Sequence, residues 1–172
     1  MFYKVVRPFL LASPENWKAY IEFSGLHQLK DFCSLDNSLN ASVFLPETPE
    51  DWEYSVGKPN LTDLIMSLRY AKKVQAKHPG SRLFGVVIAP NESVEKREKL
   101  LGYDIMDSHS CNSLLTGFDG LPEVFDRGLI NACGLLDDWK EAYRIRDAFR
   151  GLPTERDDVG GAEVWGVYEI DS

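Results

Sequence analysis

The densest run of chemically capable side chains lies between Gly102 and Ser113 and holds Asp104, Asp107, His109 and Cys111. Carboxylate, imidazole and thiolate all bind divalent metals, so this set could ligate one. The stretch lacks a second histidine or a cysteine pair at helical or knuckle spacing, which weakens that reading. A nucleophilic reading makes Cys111 the attacking thiolate and His109 its base. Residues two apart share a face on a strand and diverge on a helix, so this chemistry needs a strand here. Either reading would make the chain a small hydrolase or transferase. The favoured reading is structural: an Asp- and Ser-rich turn whose side chains hydrogen-bond the backbone leading into Leu114 and Leu115.

Few other residues invite catalysis. His27 and His78 are isolated, and His78 precedes Pro79-Gly80, where an imidazole can meet the free carbonyls of a helix end. There is no Gly-x-x-x-x-Gly-Lys, Gly-x-Gly-x-x-Gly, His-Glu-x-x-His or Gly-x-Ser-x-Gly. No cofactor is expected, and a non-enzymatic role is favoured. Cys33, Cys111 and Cys133 are odd in number and widely spaced, which argues against a disulfide framework and for reduced, mostly buried thiols.

Charge carries more information. The chain has 172 residues, 19 of them basic and 27 acidic, for a net charge of -8. That sign repels nucleic-acid backbones and anionic lipids, so neither is an expected partner. The acids concentrate at Glu47, Glu50, Asp51 and Glu53, interleaved with Trp52 and Tyr54, and again at Asp157 and Asp158. Carboxylates steer a basic partner and aromatics anchor it, so Asp51, Trp52, Glu53, Tyr54, Asp157 and Asp158 are the candidate partner-binding residues. Ordinary solubilising charge is the plain alternative.

These residues need elements to position them. With 44% hydrophobic residues, the chain can bury one core as a single domain over 1–172. Phe2 to Phe9 favours a strand; Ser13-Pro14 reads as a helix start, although Trp17 to Phe23 fits helix or strand. Leu29 to Phe44 fits a strand pair or an irregular connection, and proline-rich Leu45 to Asn60 reads as a long surface loop. The clearest helical spacing starts at Leu61, capped by Asn60 or Thr62, and ends at His78. Arg82 to Ala89 is apolar enough for a central strand covered on both faces. Asn91 to Leu101 reads as an amphipathic helix closed by Gly102, and Asp137 or Asp138 caps a helix from Trp139 to Phe149. An acidic loop from Thr154 to Gly161 then leads into a strand from Val164 to Ile170. The expected class is α/β (α+β): a mixed, mainly antiparallel sheet with three or so helices packed on it. The apolar start is cut by Arg7 and Pro8 and no later run reaches a membrane span of about 18 residues, so a cytoplasmic protein is expected.

Leu101-Gly102-Tyr103-Asp104-Ile105-Met106-Asp107, Ser113-Leu114-Leu115-Thr116-Gly117, the Asp137-Asp138-Trp139 helix and the Val164-Trp165-Gly166-Val167-Tyr168 strand together resemble the C-terminal part of small bacterial immunity-type proteins, the antidotes of polymorphic-toxin and contact-dependent inhibition systems. The resemblance implies a cytoplasmic toxin-binding antidote and brings no catalytic residues with it; joined to the acidic segments, it leads to the expectation of an immunity protein that covers the active site of a basic toxin domain with an acidic surface.

Overall fold

The computed structural model describes residues 1–91, 99–117 and 121–170. Strands β1 (Phe2–Pro8), β2 (Asn40–Ser42), β3 (Arg82–Ile88), β4 (Leu100–Met106) and β5 (Glu163–Glu169) form one sheet in the order β2-β1-β3-β5-β4. All four pairings are antiparallel. The expected α/β class is observed. Helices α1 (Pro14–Ser24), α3 (Leu68–Lys77) and α4 (Trp139–Arg150) are the long ones, and α2 (Pro49–Tyr54) and α5 (Asp157–Gly160) are short. Among the described residues no helix is long and apolar enough to cross a membrane.

Register explains how the sheet divides its side chains. Val5 sits opposite Leu83, and both join Ile65, Tyr70, Ala71 and Val74 in a core beneath α3. Their neighbours turn the other way: Val6, Phe84, Val86, Val167 and Trp165 form a second core with Cys33, Leu35, Leu64 and Cys111. Strand neighbours point to opposite faces, so the near-continuous apolar run of β3 is the signature of a strand buried on both sides. α3 packs on β1 and β3, and α4 packs on β4 and β5 through Ala142, Ile145 and Phe149. Among the described residues, the opposite face is covered by irregular chain around Cys33, Leu35, Leu64 and Cys111.

Local chemistry settles the open segments. Ser13 accepts from Asn16 N at 3.1 Å with Pro14 in the first turn, so residues 14–24 are helical. Residues 29–44 are mostly irregular, with only Asn40–Ser42 in the sheet. The Leu45–Asn60 loop contains α2, whose Thr48 and Asp51 form a capping box. The acidic Thr154–Gly161 loop likewise contains α5.

Two expectations are corrected. The helix expected from Leu61 begins at Leu68, with Ser67 as its cap, and not Asn60 or Thr62. Asn60 is left-handed (φ 64°), and Ile65 exchanges backbone hydrogen bonds with Tyr3 at 2.8 and 2.9 Å; the apolar spacing at 61–65 comes from chain packed against β1. Gly102 closes no helix: it lies within β4, at a bulge opposite Val167. The expected helix from Asn91 falls mainly on residues 92–98, which lie outside the described residues.

Gly102 is confined twice over. Its φ is 147°, and a Cβ there would sit 2.7 Å from both Leu135 Cβ and Leu136 O. Gly102→Ala should cost about 3 kcal/mol in urea unfolding, combining strain with overpacking. Gly160→Ala, where a Cβ meets nothing within 4 Å, should stay within about 0.5 kcal/mol of wild type. Equal costs at the two positions would show that the bulge does not constrain the fold.

Candidate functional site

The Asp104–Cys111 constellation is divided between a strand and a turn. Asp104 lies on β4 and is fully buried. Its carboxylate accepts from Ser34 Oγ (2.6 Å), Ser113 Oγ (2.5 Å), Ile105 N (2.9 Å) and Leu35 N (3.3 Å). Ser113 also donates its N–H to Asp36 Oδ2 at 2.9 Å, so one serine joins two buried carboxyls. Burial holds both Asp104 and Asp36 above the usual carboxylate range, against the pull of their hydroxyl and backbone donors.

Beyond β4 the chain turns. Asp107 accepts from the backbone of Ser110 (2.6 Å), His109 (3.0 Å) and Asn112 (3.3 Å), the bonding expected of an Asp-led turn. β4 ends at Met106, so His109 and Cys111 do not share a strand face. Cys111 has φ 52°, is buried, and donates its S–H to Asn60 O at 2.9 Å; burial pushes its thiol up to about 11. His109 lines a polar hollow of about 370 Å³ with Asn37, Asn60, Asp63 and Ser110, whereas Cys111 lines a separate one of about 170 Å³ beside Trp165. Among the described residues no three His, Cys, Asp or Glu side chains are grouped to hold a metal ion.

Sequence reasoning missed the partner of this network. Lys4, on β1, is fully buried and spends its ammonium on Asn37 Oδ1 (2.7 Å), Asp63 Oδ2 (3.1 Å) and Leu35 O (3.2 Å). Beyond that ion pair, no described group donates a hydrogen bond to Asp63. Lys4 and Asp104 point to the same face of the sheet, since Lys4 pairs with Phe84 and Asp104 with Trp165. Nothing local marks this, because every partner of Lys4 is at least 31 residues away.

The partner-binding candidates also separate. Asp51 accepts from Tyr70 Oη (2.5 Å) and Thr48 Oγ1 (2.7 Å), and these two bonds hold its carboxyl well below the usual range. Tyr54 stacks on Tyr70 with ring centroids 4.3 Å apart. Asp51 and Tyr54 therefore fix α2 to α3. Trp52 and Glu53 are exposed, Trp52 by 53%. Glu50 is paired to Lys73 at 2.6 Å. Asp158 is tied to Arg156, which lowers its carboxyl, while Asp157 at the start of α5 is exposed. α5 packs on the turn after β4, through Ser108 N to Asp158 O at 3.1 Å, and the two acidic segments thus sit on different parts of the frame.

The raised carboxyls have a pH consequence. A carboxyl held higher in the folded chain contributes stability that is complete below its unfolded value near 4 and is lost as pH rises through its folded value. Asp104→Asn removes that dependence. Although destabilised overall, the variant should recover ground relative to wild type as pH rises from about 4 to 7. Urea unfolding across that interval measures it, and a difference independent of pH would refute the raised value.

No family model matches this chain, and no curated protein or solved structure matches it.

Proposed function

We propose that this protein is a binding module for a basic protein domain, an antidote of the toxin-neutralising kind, and that the outer face of α2 is its recognition surface. One observation carries the reading: Trp52 stands 53% exposed on a helix of six residues that is braced through Asp51 and Tyr54. A six-residue helix has no stability of its own in water. Here the Thr48–Asp51 capping box, the Tyr70 hydroxyl and the Tyr54–Tyr70 stack hold it in place. A solvent-facing tryptophan on a braced element loses little freedom on binding, which is the property of an interface anchor.

The charge around it sets the partner's sign. Glu47 and Glu53 are exposed around Trp52 on a chain with a net charge of -8, so a basic domain would be steered to this face; Glu50 is already paired with Lys73. Met66, whose N–H bonds to Tyr54 O at 2.8 Å, and Leu68 at the head of α3 add exposed apolar surface next to α2. Asp157 serves as a peripheral steering charge. Asp158 contributes little, because Arg156 already neutralises it.

The test is capture of a partner from the source cells, and from cells expressing whatever large secreted protein is encoded next to this one, with Kd for the captured domain then measured in solution. Trp52→Ala should weaken the complex about 30-fold, the equivalent of about 2 kcal/mol for a central aromatic. Glu53→Lys should slow association and reduce its salt dependence, and Asp157→Ala should change Kd by less than about threefold. Wild-type binding by both Trp52→Ala and Glu53→Lys would refute α2 as the recognition surface. An acidic or absent partner would refute the reading altogether.

A further inference from the structure

Cys33 and Cys133 are widely separated in sequence and adjacent in space. The N–H of Cys33 bonds to the carbonyl of Cys133 at 2.9 Å, and Lys30 and Asp31 both bond to Ala132 O, at 2.9 and 3.1 Å. This short backbone seam joins the coil around residues 30–36 to the turn around residues 131–136. The backbone bond brings the two residues within the reach a disulfide needs, and Cys133 packs against the core cluster that holds Cys33. Both are reduced in this structure; Cys33 is buried and Cys133 is partly accessible.

Their surroundings differ: burial and the Asp31 carboxylate push the Cys33 thiol well up, with the Arg82 guanidinium pulling the other way. The Cys33 S–H donates to Asp31 Oδ2 at 3.3 Å, and Arg82 Nη2 lies 3.6 Å from the same sulfur. Arg82 also holds Asp31 through an ion pair of 2.8 Å. Cys33 is therefore the resolving thiol, with the Arg82 guanidinium beside its sulfur, and the partly accessible Cys133 is the attacking one. The Cys111 thiol, by contrast, donates to Asn60 O.

We propose that Cys33 and Cys133 are a reversible thiol–disulfide site that reacts with small-molecule disulfides of the glutathione type. The accessible Cys133 loses its proton to solvent and attacks one sulfur of the small disulfide. A mixed disulfide forms, and the first small thiolate leaves and takes up a proton. Cys33 then attacks the Cys133 sulfur and gives up its proton to the departing second small thiolate. The protein disulfide forms, and the second small thiol is released. The two protein thiols lose two electrons and two protons, and one small disulfide becomes two thiols. The product staples the coil to the turn and closes a loop of roughly 100 residues, constraining the unfolded chain most of all. This inference is independent of the binding role of α2.

The native full-length protein, without denaturant, is equilibrated in mixtures of oxidised and reduced glutathione, and the products are read by intact mass and by mapping cross-linked peptides. Wild type and Cys111→Ser should both lose two hydrogens and yield a Cys33–Cys133 peptide. Tm should rise by several degrees, at most about 10 °C, and reduction should reverse the change. Cys33→Ser should stop at a glutathionyl adduct on Cys133. Cys133→Ser, which changes only a partly exposed side chain, should gain no cross-link. A wild-type protein that stays fully reduced in the most oxidising mixture, that carries only an adduct, or that cross-links through Cys111 would overturn the proposal.

Discussion

The hydrogen bonds gathered by Asp104 are the constraint on which the rest of the structure depends. β4 supplies the carboxylate, and Ser34 and Ser113 bring to it two stretches of chain that have no regular structure of their own. Ser113 also ties in Asp36, which in turn organises Ser38 through its backbone and its hydroxyl. A helix laid on a sheet satisfies its own backbone. A coil does not, and its buried amides need partners from elsewhere. The face of the sheet opposite α3 and α4 is covered by coil, and the buried carboxyls, serines and Lys4 provide those partners. Burying charge is expensive unless each lone pair and proton is used. Asp104 uses its oxygens on four donors and Lys4 its ammonium on three acceptors.

This arrangement explains which parts of the structure were legible in the sequence. Strands β1, β3 and β5 announce themselves through β-favouring or apolar runs, and α4 through the Asp138 cap and its spaced apolar face, because each signal lies within a dozen residues. The coil cover has no period. Leu61, Leu64 and Ile65 repeat as a helix would, yet they are spaced to meet the sheet from an extended chain, with Ile65 bridging to Tyr3. Gly102 looks like a helix stop and is a bulge, since φ > 0 serves either purpose. The α2 helix carried a readable signature in Thr48-Pro49-Glu50-Asp51, hidden by the surrounding prolines and acids.

The candidate site was legible by composition and not by geometry. Asp104, Asp107, His109 and Cys111 are adjacent in sequence, yet each looks to a different neighbour: Ser34, the turn backbone, the polar hollow and Asn60. In the acidic segment, Asp51 and Tyr54 brace the helix while Trp52 and Glu53 face solvent. Period and spacing alone do not divide a helix of six residues into working and bracing faces. The thiol pair was invisible for the same reason as Lys4, because its members come from opposite ends of the coil cover.

The order of the strands bears on how the chain is made. β3, at the centre of the sheet, has β1 on one side and β5 on the other, so its second edge stays unpaired until the final strand has been synthesised. A nascent chain emerging from the ribosome can assemble β1, β2 and β3 early, but it must carry an open apolar edge through the whole of β4 and α4. Completion of the sheet therefore waits for β5, and the interval before it is when the open edges are most exposed to association with other unfinished chains.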